Sequence, residues 1–88
     1  EAETLADAIN RQLRTTFLGT GVHTEVTSSG AVRRLADRAS HALLRITQEA
    51  STNALKHGSP TRFTARLQYG ASRVTLRLAD DGQGFDPK

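Results

Sequence analysis

The sequence contains no cysteine. That excludes a disulfide framework and a thiolate metal centre, and it permits a reducing compartment without requiring one. No apolar run approaches the roughly 20 residues that span a bilayer. Residues 1–18 are amphipathic, with Glu1, Glu3 and Asp7 near the start, and do not read as a signal peptide. Aromatic residues are sparse, limited to Tyr69 and three Phe. Arg33, Arg34 and Arg38 cluster only loosely, while Arg66, Arg73 and Arg77 sit among strand residues. No basic stripe interleaved with aromatics results, so nucleic acid is not an expected partner. There is no G-x-x-x-x-G-K-[ST] loop and no G-x-G-x-x-G after a strand, which removes two common phosphate-binding signatures.

What remains is a chain of 88 residues, one domain at most. A chain this short buries only about 60–65% of its unfolded surface, so its core is marginal. With 36% apolar and 24% charged residues it reads as a soluble globular domain rather than a disordered tail. The net charge of +3 fits an anionic partner such as a nucleotide, and it equally fits an ordinary solubility charge.

Leu5, Ile9, Leu13 and Phe17 recur every four residues and predict a helix over 3–18, ended by Gly19 and Gly21. Val22 to Thr27 alternates as a short strand, and Ser28-Ser29-Gly30 reads as a turn. From Ala31 to His57, Leu35, Ala39, Ala42, Leu43, Ile46, Ala50 and Ala54 return to one side of a helical pattern. That stretch is either one helix or two, with a break and a cap near Asp37. Gly58 and Pro60 stop it. Phe63, Ala65, Leu67 and Tyr69 alternate with polar residues, as do Val74, Leu76 and Leu78, so a hairpin turning at Gly70-Ala71-Ser72 is predicted. The order helix, strand, helix, strand, strand favours a layered α+β domain.

Three features break the pattern. Glu49, Asn53, Lys56 and His57 fall within an arc of roughly 100° on the central helix, at the rim of its apolar side. Such a mixture suits a liganded pocket, and it also suits a solvated helix flank. Asp80 shares parity with Val74, Leu76 and Leu78, so a strand reaching it would aim a carboxylate the same way as the core. A ligand's amino group would supply the donor such a carboxylate needs; the alternative is a strand that ends at Ala79. Finally, Gly82 and Gly84 lie in the polar stretch Asp80-Asp81-Gly82-Gln83-Gly84-Phe85-Asp86, where glycine lets a ligand approach the backbone.

Together, the helix Glu49-x-x-x-Asn53-x-x-Lys56-His57 and the loop Asp80-Asp81-Gly82-Gln83-Gly84 resemble the N box (44–58) and first glycine box (80–84) of the GHKL superfamily of ATPases and kinases. The phrase Leu44-Arg45-Ile46-Thr47-Gln48-Glu49-Ala50, with Asn53-Ala54-Leu55-Lys56-His57, resembles the bacterial sensor histidine kinases whose response regulators carry helix-turn-helix outputs. The resemblance spans most of 1–88, and its specific part is confined to 44–58 and 78–86. It implies a two-layer α/β sandwich of the GHKL (Bergerat) type that binds ATP and Mg²⁺. It further implies that the intact protein transfers the γ-phosphoryl group to a histidine on a dimerisation domain, in the cytoplasm, for relay to a response regulator. No direct membrane contact by this segment is expected. Carried over by position, Asp80 accepts from the adenine amino group and Asn53 ligates Mg²⁺. Glu49 either orients a metal-bound water or acts as general base. Lys56 and His57 approach the phosphates, and Gly82 and Gly84 bend the loop over the nucleotide.

The family's second glycine box, its lid and its phosphoacceptor histidine have no counterpart in residues 1–88, so a catalytic-domain piece that does not autophosphorylate by itself is expected. Two other readings are a serine kinase of the anti-sigma-factor type and an interaction module that no longer uses nucleotide.

Overall fold

The computed structural model describes residues 3–58 and 60–81. Gly82 and Gly84 of the predicted glycine box lie outside the described residues.

Helix α1, Leu5–Thr16, begins at Thr4. The Thr4 hydroxyl accepts from the Asp7 N–H at 3.1 Å, and the Asp7 carboxylate accepts from the Thr4 N–H at 3.3 Å. This capping box satisfies two of the donors that a helix start leaves open. Ile9 and Leu13 are fully buried and Phe17 nearly so, as their four-residue spacing predicts. Gly19 and Gly21 then take left-handed backbone angles and turn the chain toward the sheet.

The sheet comprises β1 (His23–Gly30), β2 (Arg62–Tyr69) and β3 (Val74–Asp80), in the order β1-β2-β3. β1 pairs with β2 in parallel, so the chain needs a long crossover between them, and helix α2 (Asp37–His57) supplies it. β2 and β3 form the predicted antiparallel hairpin. Its turn closes through the Gly70 N–H donating to the Arg73 carbonyl at 2.8 Å. The two helices cover one face, giving a two-layer α+β sandwich. The core cluster joins Ile9, Leu13 and Phe17 of the α1 region to Phe63 and Ala65 of β2. The rings of Phe17 and Phe63 lie 5.2 Å apart at 39°, a tilted aromatic pair.

Three local expectations are corrected. Ser28-Ser29-Gly30 is not a turn: β1 runs on through it in register with Leu67, Gln68 and Tyr69. The central helix is single and starts at Asp37, which is its first residue and not its cap; Ala36 precedes it with no side-chain cap. The buried face of α2 centres on Thr47 and Ser51, while Ile46 is 51% exposed. The two hydroxyls can be buried because each donates within its own helix, Thr47 to the Leu43 carbonyl at 2.8 Å and Ser51 to the Gln48 carbonyl at 3.1 Å. Short side chains there let α2 lie close to the sheet.

Candidate functional site

The fold brings the C-terminal end of α2 and the C-terminal end of β3 to the same end of the sandwich. α2 finishes at His57, β2 starts at Arg62, and Asp80 pairs with Phe63 near that start. The junction is tied directly. The Thr61 N–H donates to Asp81 Oδ1 at 2.9 Å, the Thr61 hydroxyl donates to Asp81 Oδ2, and the Asp81 N–H donates to the Arg62 carbonyl at 3.3 Å. The hydroxyl bond and the backbone donors hold the Asp81 carboxyl below the usual aspartate range. Asp81 and Thr61 were not singled out from the sequence. Asp81 lies just past the end of β3, inside the stretch read as a glycine box, where sequence reasoning assigns a role to Asp80 alone.

Asp80 is the last residue of β3, so the alternative that the strand ends at Ala79 does not hold. Residues directly opposite in a ladder share a face. Asp80 lies opposite buried Phe63, just as Leu78 lies opposite Ala65 and Leu76 opposite Leu67. The carboxylate therefore stands on the helix-facing side. It is exposed, and among the described residues it receives no hydrogen bond and no ion pair. It thus offers unused acceptor oxygens without the cost of a buried charge.

The arc on α2 is placed differently from the sequence expectation. Measured round the helix from Thr47, Asn53 and His57 stand about 80–120° away, while Glu49 and Lys56 stand about 160–180° away, on the side opposite the sheet. All four are exposed. The other flank of α2 meets α1, where Gln12 donates to the Leu44 carbonyl at 2.8 Å and Thr16 reaches Gln48 at 3.4 Å. Asn53 and His57 consequently occupy the flank turned away from α1. Since α1 lies on β1 and α2 touches β3, that is the β3 side, where Asp80 stands. Asn53 and His57 thus lie toward the end of the sandwich where β3 finishes at Asp80, and Glu49 and Lys56 lie further out on the helix.

No group of three or more His, Asp or Glu side chains gathers to hold a metal among the described residues. Asn53 stands one turn after Glu49 on α2, and both are exposed. A groove of about 450 Å³ lies at the opposite end of α2, lined by Leu5, Val32, Leu35, Leu44 and Tyr69 among others, and shares no residue with this site. No described helix is long and apolar enough to cross a membrane.

No family model matches the chain. Among curated proteins it is 36% identical over 67 residues to the signal transduction histidine-protein kinase/phosphatase DegS of Bacillus subtilis, a match covering 76% of this chain and 17% of that protein. It is 33% identical over 67 residues to the sensor histidine kinase MctS of Rhizobium johnstonii, covering 76% of this chain and 14% of that protein. A 44-residue stretch is 43% identical to the sensor protein VraS of Staphylococcus haemolyticus, covering 50% of this chain and 13% of that protein. The chain is thus similar to sensor histidine kinases and spans less than one-fifth of their length.

Proposed function

We propose that this chain is the ATP- and Mg²⁺-binding core of a GHKL-type sensor histidine kinase acting in two-component signalling. The observation that supports the reading is that α2, which carries Asn53, and β3, which carries Asp80, end at the same end of the sandwich, on segments that read as an N box and a glycine box. Similarity to sensor histidine kinases over most of the chain supports it, and the names of those relatives favour histidine over serine as the acceptor.

In this reading Asp80 accepts a hydrogen bond from the adenine amino group, and its exposed carboxylate on the helix-facing side suits that role. Asn53 presents its side-chain oxygen to the cation. Glu49 orients a water or takes a proton from the far side of the helix, and Lys56 and His57 offer donors to the phosphates. Gly82 and Gly84 let the loop close over the nucleotide. Bound Mg²⁺ supplies neutralisation of phosphate charge, and the protein supplies position. The phosphoryl acceptor is a histidine on the kinase's dimerisation domain, the downstream partner is a response regulator with a helix-turn-helix output, and the segment works in the cytoplasm.

Asp80→Asn separates this reading from a generic anion site. Loss of one charged hydrogen bond is expected to weaken ATP binding by about 10–100-fold, while GTP binding barely moves. Competition of ATP and GTP against a fluorescent adenine nucleotide measures both. Equal loss for the two nucleotides would remove Asp80 from base recognition.

A further inference from the structure

The sheet has a second face, turned away from both helices. On it stand His23, Glu25 and Thr27 of β1, Arg62, Arg66 and Gln68 of β2, and Arg77 of β3, all exposed. Arg66 and Arg77 are direct cross-strand partners. Like charges placed opposite each other destabilise a sheet, and among the described residues neither arginine is in an ion pair. The neighbours of Arg66 within the sheet are Thr27, Thr64 and Gln68, and those of Arg77 are Thr75 and Ala79. Among the described residues this face holds two carboxylates, and both are engaged elsewhere: Glu25, diagonal to Arg66 across the β1–β2 ladder, pairs with Arg62 at 3.5 Å, and Asp81, just past the end of β3, accepts from Thr61. Arg73, exposed in the hairpin turn just before β3, adds positive charge at that end of the sheet.

We propose that this outer face is a docking surface for an acidic segment of a partner protein, gripped by Arg66 and Arg77. Guanidinium groups side by side present paired forks that match carboxylates bidentately. The alternating threonine, serine and glutamine side chains around them offer neutral hydrogen bonds to a peptide backbone. The occupant follows from the chemistry of the face. Phe63 and Tyr69 both lie on the helix side, so among the described residues this face carries no aromatic platform on which bases would stack. Apart from Ala79, the strand residues of this face include no apolar side chain that would enter a lipid surface, among the described residues. An acidic peptide needs neither. This surface is on the opposite side of the sheet from Asp80 and does not depend on nucleotide binding there.

The test uses the 88-residue chain and a fluorescein-labelled polyglutamate peptide, read by anisotropy at low ionic strength. Arg66→Gln with Arg77→Gln is expected to weaken binding by about tenfold or more, as loss of two charge pairs would. Arg14→Gln with Arg38→Gln removes the same charge from the helix layer and is expected to change binding by less than about twofold. Arg66→Lys with Arg77→Lys keeps the charge without the planar fork and should fall between them. Thermal melting controls for folding: the double Gln variant should melt at or above the wild type, because a like-charge pair has been removed. Equal loss in both double Gln variants, no binding by the wild type, or stronger competition by an oligothymidine or by phosphatidylserine vesicles would each overturn the proposal.

Discussion

Asp80 and Asp81 are chemically identical neighbours with different work. Asp80 faces the helices with no hydrogen-bond partner among the described residues, whereas Asp81 faces the other way and clamps Thr61. The clamp is a local device that joins the end of β3 to the loop after α2. Its contribution to stability has a definite pH dependence. The Thr61 hydroxyl holds the Asp81 carboxyl below its ordinary value. A depressed carboxyl contributes stability that is fully present above its unfolded value, near 3.8, and is lost as pH falls through the folded value. Asp81→Ala should therefore lower the melting temperature at neutral pH, and the gap to wild type should narrow on acidification from pH 4 downward. Melting curves across that range check it, and a gap unchanged by acid would show that ionisation of Asp81 is irrelevant. At this scale the sequence was partly legible. Strand parity placed Asp80 on the core side. It could not reveal that Thr61, 20 positions away, is the partner of Asp81, because that pairing depends on the hairpin register.

At the scale of elements, the amphipathic patterns of α1, β2 and β3 were readable because each buries one face with clear contrast. α2 was harder. Its most buried residues are Thr47 and Ser51, polar types whose hydroxyls are satisfied inside the helix, while Ile46 faces outward. Hydropathy therefore located the helix but misjudged its roll, and with it the distance of Glu49 and Lys56 from the sheet. The end of β1 was misjudged for a different reason. Ser28-Ser29-Gly30 has turn composition, yet it is held in the sheet by parallel pairing with β2. Gly30 is needed there for two reasons. Its φ is +86°, and a Cβ would come within 2.1 Å of the Tyr69 carbonyl oxygen. Gly30→Ala is expected to cost about 1–3 kcal/mol from the backbone angle alone, with more from the clash. Urea denaturation measures the loss. An unchanged midpoint would mean that β1 does not extend to Gly30 in solution.

On the scale of the whole molecule, one small core supports both the fold and the candidate site. Phe63 is 1% exposed, stacks near Phe17 and lies directly opposite Asp80. Phe63→Ala is expected to cost about 3–5 kcal/mol. That is a large share of the total stability, since a domain of this length holds only about 4–13 kcal/mol in all. Circular dichroism should show a chain that is largely unfolded, or close to it, at 37 °C; a melt within a few degrees of wild type would contradict the placement of the core. The central claim concerns nucleotide. It is tested most directly by calorimetric titration of the chain with ADP and Mg²⁺, beside Asn53→Ala, an exposed substitution that leaves the core untouched. The account predicts Mg²⁺-dependent binding by the wild type and its loss in the variant, with both melting alike. Binding that is identical in the two proteins, or independent of Mg²⁺, would contradict it.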